Sequence, residues 1–257
     1  MIVFVEPVRT SRTFEAAIEN LLEGIERATL RLDDRLPTEE QLAGQLGISK
    51  PTLRQALRVL ERSGLLRVRA GKGGGIFMNS EVVPVDAITH NVAVEAEDAV
   101  DVLRGRRLLE GAVTVMAAKA ATEEDYAGIE RTIELLARNV GDRPRVMGAN
   151  AMFHRAVIRA CHNKTLQSAM RNIESELAPI RDSYQGGIEN DRETLDIHQR
   201  QIAAMRQLDL KALARILDEH FRTLEEEFAT ALHRRWETLF GEVAEQTLRL
   251  GTPLRRS

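Results

Sequence analysis

The 257-residue chain has a single cysteine, Cys161, which excludes an internal disulfide. Set in an apolar helical pattern, it reads as a small buried hydrophobe rather than a nucleophile. Aromatic residues are only 4% of the sequence against 43% hydrophobic and 29% charged, the composition of a soluble, helix-rich protein with enough aliphatic material for a core. No apolar run approaches the roughly 20 residues of a membrane span. The opening MIVFVEPVRT lacks the basic start and long apolar core of a signal peptide, so a cytoplasmic location is expected. There is no HExxH, no paired ExxH of the di-iron bundles and no GxxxxGK[ST] phosphate loop. No fixed-period repeat marks a solenoid either.

What is present concentrates between Leu36 and Met78, LPTEEQLAGQLGISKPTLRQALRVLERSGLLRVRAGKGGGIFM. Thr38 and Gln41 form a capping-box pattern, and Glu39 and Glu40 suit the positive end of a helix dipole. Gly47 allows a sharp turn, Ser49 caps a second helix, and Pro51 fits its first turn. Leu53, Ala56, Leu57 and Leu60 then repeat at helical spacing as a buried stripe, while Lys50, Arg54, Gln55, Arg58 and Arg62 fall on the other faces. From Ile48 to Gly75 there are seven Lys or Arg and one acid, Glu61, about +6 in a chain of net charge −3.

A major groove admits one helix, and cations near its N-terminus reach guanine edges while hydroxyls grip phosphate. Lys50, Thr52 and Arg54 suit base edges, and Ser49 a phosphate. The following RVRAGKGGGIF predicts a two-stranded wing, with Arg67 and Arg69 on one face and glycines that let backbone approach a minor groove. The spacing therefore predicts a winged helix-turn-helix that binds double-stranded DNA. A solvated basic face on an unrelated helical hairpin is the alternative.

This stretch closely resembles the N-terminal domain of GntR-type bacterial transcription regulators over roughly residues 10–80. The resemblance places Ser49, Lys50, Thr52, Arg54 and Gly71 against operator DNA, and Gln55, Arg58, Arg69 and Lys72 share the same basic surface. Lys50 stands where arginine is more usual, so guanine would be read by a point charge rather than a planar fork.

The expected fold is mainly α: three helices and a β-wing over residues 1–79, a linker at 80–84, and an all-helical antiparallel bundle over 85–257. The first helix spans about Thr13 to Thr29, with Phe14, Ala17, Ile18, Leu21, Leu22 and Ile25 inward. Residues 81–257 hold 24 basic and 29 acidic side chains and show helical spacing almost throughout. Helices are predicted at 84–95, 98–121, 122–139, 144–162, 165–185, 190–207 and 210–235, with a last piece to about Leu250. Gly186–Gly187 and the 141–144 turn are the expected mobile points.

His154, His198 and His220 each sit on an apolar face, and Asn150 lies four residues before His154. Neutral imidazoles are common metal ligands, and hydrogen-bonded core histidines are the alternative. His90, His162 and His233 read as surface or packing residues.

VLRGRRLLEGAVTVMAAKAA, NAMFHRAVIRACHNKTL and DIHQRQIAAMRQLDLKALARILDEHF resemble successive signatures of the FCD ligand-binding domain of FadR-like GntR regulators. The resemblance implies a homodimeric regulator in which an aspartate and three histidines hold a divalent ion of the Zn, Ni or Mn type beneath an effector cavity. His154, His198 and His220 match the histidines, and Asn150 takes the aspartate's place. An uncharged Asn leaves the ion's charge uncompensated, which loosens the ion and strengthens its pull on a carboxylate. Arg106 is implied to turn into the cavity and, with Asn150, to contact a small organic acid. An ion pair with Glu110, four residues on at the surface or an interface, is the alternative. A metal-dependent hydrolytic enzyme and an architectural DNA binder without an effector are the competing functions.

Overall fold

A computed structural model describes residues 12–69, 71, 73–83, 96–182 and 188–249. The expected helix at 84–95, His90, Lys72, the Phe14 side chain and Gly186–Gly187 lie outside the described residues. The chain divides into two compact units, residues 1–88 and 89–257.

In the first unit, α1 (Arg12–Arg27) buries Ala17, Ile18, Leu21, Leu22 and Ile25. Helix α2 (Glu39–Leu46) begins in the expected reciprocal cap. The Thr38 hydroxyl accepts from the Gln41 amide, and the Gln41 side chain accepts from the Thr38 amide. It ends at Gly47, whose φ of 65° is the left-handed conformation that favours glycine. Ser49 then caps α3 (Lys50–Arg62), and the stripe Leu53, Ala56, Leu57 and Leu60 is at most 2% exposed. Strands β1 (Leu66–Arg69) and β2 (Gly75–Met78) pair antiparallel, with Leu66 opposite Met78 and Arg69 opposite Gly75. Period-two alternation turns Leu66, Ile76 and Met78 into the core. On its other edge β2 bonds residues 33–36 through Asp33, Asp34 and Leu36. A Cβ at Gly75 would come within 2.8 Å of Arg35 Nε, so the Arg35 side chain would have to shift to admit one.

The second unit is all helical among its described residues: α4 (Ala96–Ala120), α5 (Glu123–Arg138), α6 (Arg143–Ala160), α7 (Lys164–Asp182), α8 (Ile188–Arg206), α9 (Leu210–Ala231) and α10 (Trp236–Arg249). Short turns join α5 to α6, α8 to α9 and α9 to α10, and each pair packs together as antiparallel neighbours. One apolar cluster gathers Val113, Ile129, Phe153, Val157, Met170, Leu217 and Phe221, and Cys161 is buried in it. A second joins Leu103, Leu177, Ile180, Leu239 and Phe240, so α10 packs on α4 and α9 of its own chain.

A buried ionic knot reinforces that attachment. Arg107, fully buried, donates to Asp218 at 2.5 Å and to both Glu225 oxygens at 2.8 and 2.7 Å. Trp236 Nε1 donates to the same Glu225 at 3.0 Å. The 141–144 turn, expected to be mobile, is tied down instead: Gly141 N and Arg143 Nη1 both reach buried Asp191, at 3.2 and 3.3 Å. No described helix is long and apolar enough to cross a membrane.

Candidate functional site

In the first unit, α3 presents Lys50, Arg54, Gln55 and Arg58 to solvent, with Thr52 half-buried, and β1 presents Arg69. Ser49 serves as the helix cap, accepting from the Thr52 amide and sharing a 2.8 Å hydroxyl contact with Thr52 Oγ1. The wing-tip Gly71 is exposed. Arg69 lies 5.6 Å from the Phe77 ring centroid, held by its face. Arg67, read with Arg69 as one cationic face, instead pairs with Asp33 at 2.7 Å.

The charge of α3 is less bare than the sequence suggests. Arg54 Nε donates to Glu39 at 2.9 Å and Lys50 Nζ to Glu40 at 3.3 Å. The two acids at the start of α2 therefore face the two cations at the start of α3. Glu39 and Glu40 were legible as dipole partners but not as partners of Lys50 and Arg54, because only the turn at Gly47 brings them together.

In the second unit α6, α8 and α9 bring His154, His198 and His220 together, with ligand nitrogens all within 4.8 Å of one another. Their ring centroids are 5.0 to 5.3 Å apart. Phe153 stacks on His198 at 3.8 Å and fixes that ring. One turn before His154, the buried Asn150 Oδ1 has no hydrogen-bond partner among the described residues. A buried carbonyl oxygen left in this way is an acceptor that a water, a hydrogen-bond donor or a cation would satisfy. A tetrahedral ion wants donors roughly 3.4 Å apart, so the rings need to close slightly to grip one. The residues fit a divalent ion: three imidazoles and one amide oxygen, all buried or half-buried.

A carboxylate that the sequence offered only as an alternative surface or interface partner of Arg106 sits against this cluster. Glu110 is only 2% exposed, its Oε1 is 2.5 Å from His154 Nδ1, and its Oε2 accepts from Arg106 Nε at 2.8 Å. Burial alone would raise its pKa, but His154 and Arg106 outweigh burial and hold it well below the usual carboxylate range. Arg106, 3% exposed, also places Nη2 2.9 Å from His220 Nε2. Burial, then the adjacent Arg106 charge, push the His220 pKa well down, so its ring is neutral at neutral pH.

Arg106 thus makes the ion pair and also lines a cavity, two readings that the sequence set against each other. The cavity, about 80 Å³, is lined also by Arg143, Asn150, Glu193, Thr194, His220 and Thr223. Arg143 was missed because it lies at the start of α6, where its spacing reads as an exposed first turn. The other histidines are peripheral or undescribed: His162 pairs with Asp125 at 2.8 Å, and both His162 and His233 end helices at positive φ.

A winged helix-turn-helix unit followed by an all-helical unit is the architecture of one class of bacterial regulators. Residues 13–76 match the family described as bacterial regulatory proteins, gntR family, and residues 101–223 match the FCD domain. The chain belongs to the gntR family, in the group whose members carry an FCD domain. Relatives include the Uxu operon transcriptional regulator of Escherichia coli K12, 31% identical over 54% of this chain and 54% of its own length. The Glc operon transcriptional activator of the same strain is 28% identical over 60% of this chain and 65% of its own length. The chain thus spans between half and two thirds of these curated relatives. Among solved structures, E. coli McbR/YncC aligns over 84% of this chain and 98% of that one, at 19% identity and a TM-score of 0.48. The family and its named relatives are transcription regulators, not enzymes.

Proposed function

We propose that this protein is a DNA-binding transcription regulator whose operator affinity is set by a small carboxylate bound in the second unit. The DNA-binding module is residues 1–79, joined through 80–84 to an effector-binding and dimerisation module at 85–257. Ser49, Lys50, Thr52, Arg54, Gln55, Arg58, Arg69, Gly71 and Lys72 form the operator surface. A cytoplasmic homodimer would offer two recognition helices to a palindromic operator.

The observation that carries the sensing half is a cluster of three histidines of which one, His220, lines a small cavity together with Asn150, whose oxygen is orphaned, and Arg106. Asn150, His154, His198 and His220 would hold a divalent ion of the Zn, Ni or Mn type, which when bound supplies a Lewis-acidic anchor for a carboxylate. Arg106 adds a guanidinium edge suited to the same group. Thr194 and Thr223 offer hydroxyls to the rest of a small acid. An architectural DNA binder would have no use for a cavity with this polar lining.

The test is thermal unfolding of metal-stripped protein with Zn, Ni or Mn, then with small carboxylates with and without the best ion. A bound ligand raises the unfolding midpoint once its concentration exceeds Kd. Stabilisation by an acid only in the presence of ion is expected. Stabilisation without ion would transfer recognition to Arg106 and its neighbours. None with any ion or acid would leave the architectural reading.

A further inference from the structure

Arg106 and His220 meet in a way that constrains how an ion enters the histidine cluster. A guanidinium has only donors, so the 2.9 Å contact between Arg106 Nη2 and His220 Nε2 requires that Nε2 accept. A neutral imidazole has one proton and one lone pair, so the proton is on Nδ1 and the lone pair is already engaged. An ion approaching Nε2 meets Arg106 directly. If it approaches Nδ1, the proton has to move to Nε2, where it would point at another donor. By either nitrogen, ligation by His220 requires Arg106 Nη2 to withdraw.

The rest of Arg106 has an anchor that permits this. Its Nε stays on Glu110 at 2.8 Å, and Glu110 lies 2.5 Å from His154 on its other oxygen. Loss of the His220 contact therefore leaves the buried charge paired. We propose that a divalent ion and Arg106 compete for the single lone pair of His220, so that ion binding turns the Nη2 edge of Arg106 toward the cavity it lines. This rests on the metal reading above and extends it: the ion is then a switch for the acid-binding arginine as well as an anchor. Ion and carboxylate would assist each other, since each favours the same position of Arg106.

The test measures Ni²⁺ affinity by calorimetry on full-length protein, wild type against Arg106→Gln and Arg106→Lys. The lysine variant keeps a charge that can pair with Glu110 but lacks the fork that also spans to His220, and it preserves the fold if the glutamine variant does not. Both variants should bind Ni²⁺ more tightly than wild type, by about tenfold, the worth of a lost charge-assisted hydrogen bond. A gain in the glutamine variant alone would show simple charge repulsion and overturn the competition. No gain in either would overturn it while leaving the metal site standing. Absence of Ni²⁺ binding in all three proteins would reject the metal site itself, and this inference with it.

Discussion

Asn150 has the shape of an aspartate without its charge, and that difference is measurable. Asn150→Asp should tighten divalent-ion binding by at least about tenfold, since even changes in groups that merely support ligands move affinity by 10- to 100-fold. The added negative charge should also weaken the site's pull on a carboxylate. Calorimetric titration of ion, then acid, checks both directions. Arg54 is tested by the same logic at the other end of the chain. Arg54→Ala removes an exposed cation and leaves Glu39 facing DNA alone. Operator binding at fixed salt should fall by about 1–3 kcal/mol with the fold intact. Unchanged affinity in a fluorescence anisotropy titration would sink the proposed docking of α3.

At the scale of elements, the caps make separable contributions. Thr38→Ala should lower the stability of the first unit by about 1 kcal/mol, read as a shift in urea midpoint, because the bond that the Gln41 amide donates to the Thr38 hydroxyl is lost. The start of α5 adds a pH dependence. Burial tends to raise the Asp125 pKa, but the Thr122 amide and hydroxyl and His162 outweigh it and bring it below the ordinary value. A depressed pKa stabilises the fold fully above the unfolded value of about 3.9 and loses that contribution as pH falls through the folded one. The stability gap between wild type and Asp125→Asn should therefore be constant at neutral pH and close in acid. A gap that widens in acid would reverse the assignment.

The elements were also where the sequence was most legible. Caps, the left-handed turn at Gly47, the α3 stripe and the wing follow from local chemistry, and local chemistry is what a linear pattern encodes. Helix ends moved by a few residues, because the final turn depends on what packs beyond it. The three histidines could be placed on inward faces, yet their meeting depends on how α6, α8 and α9 pack. The burial of Glu110 was hidden for the same reason. A glutamate four residues after an arginine looks like a pair at a surface or interface, and that the pair is buried, with His154 of α6 against it, depends on how the helices pack. No periodicity assigned α10 to its own bundle; the Glu225 bond to Trp236 spans two helices and leaves no local trace.

For the whole molecule, the proposed function makes operator and effector sites reciprocal. Whatever factor the acid imposes on operator affinity, operator DNA must impose on acid affinity, and two titrations carried out in opposite order should return one number. Replacing His154, His198 and His220 together by Ala should reduce bound metal to background and remove that coupling, while affinity for DNA without effector is retained. A triple variant with unaltered metal content would place the ion elsewhere.

On the proposed function, the acids at the head of α2 bear on a different matter, the search for one operator among a great many other sequences. While Glu39 and Glu40 hold Arg54 and Lys50, a chance stretch of duplex offers those cations phosphate in exchange for carboxylate and gains little. A correct base edge offers directed acceptors as well, and only there is the exchange repaid. What governs occupancy in a genome is the ratio of right to wrong binding rather than strength alone. A regulator that keeps its reading head partly satisfied gives up some grip everywhere and wastes less time on the wrong sites.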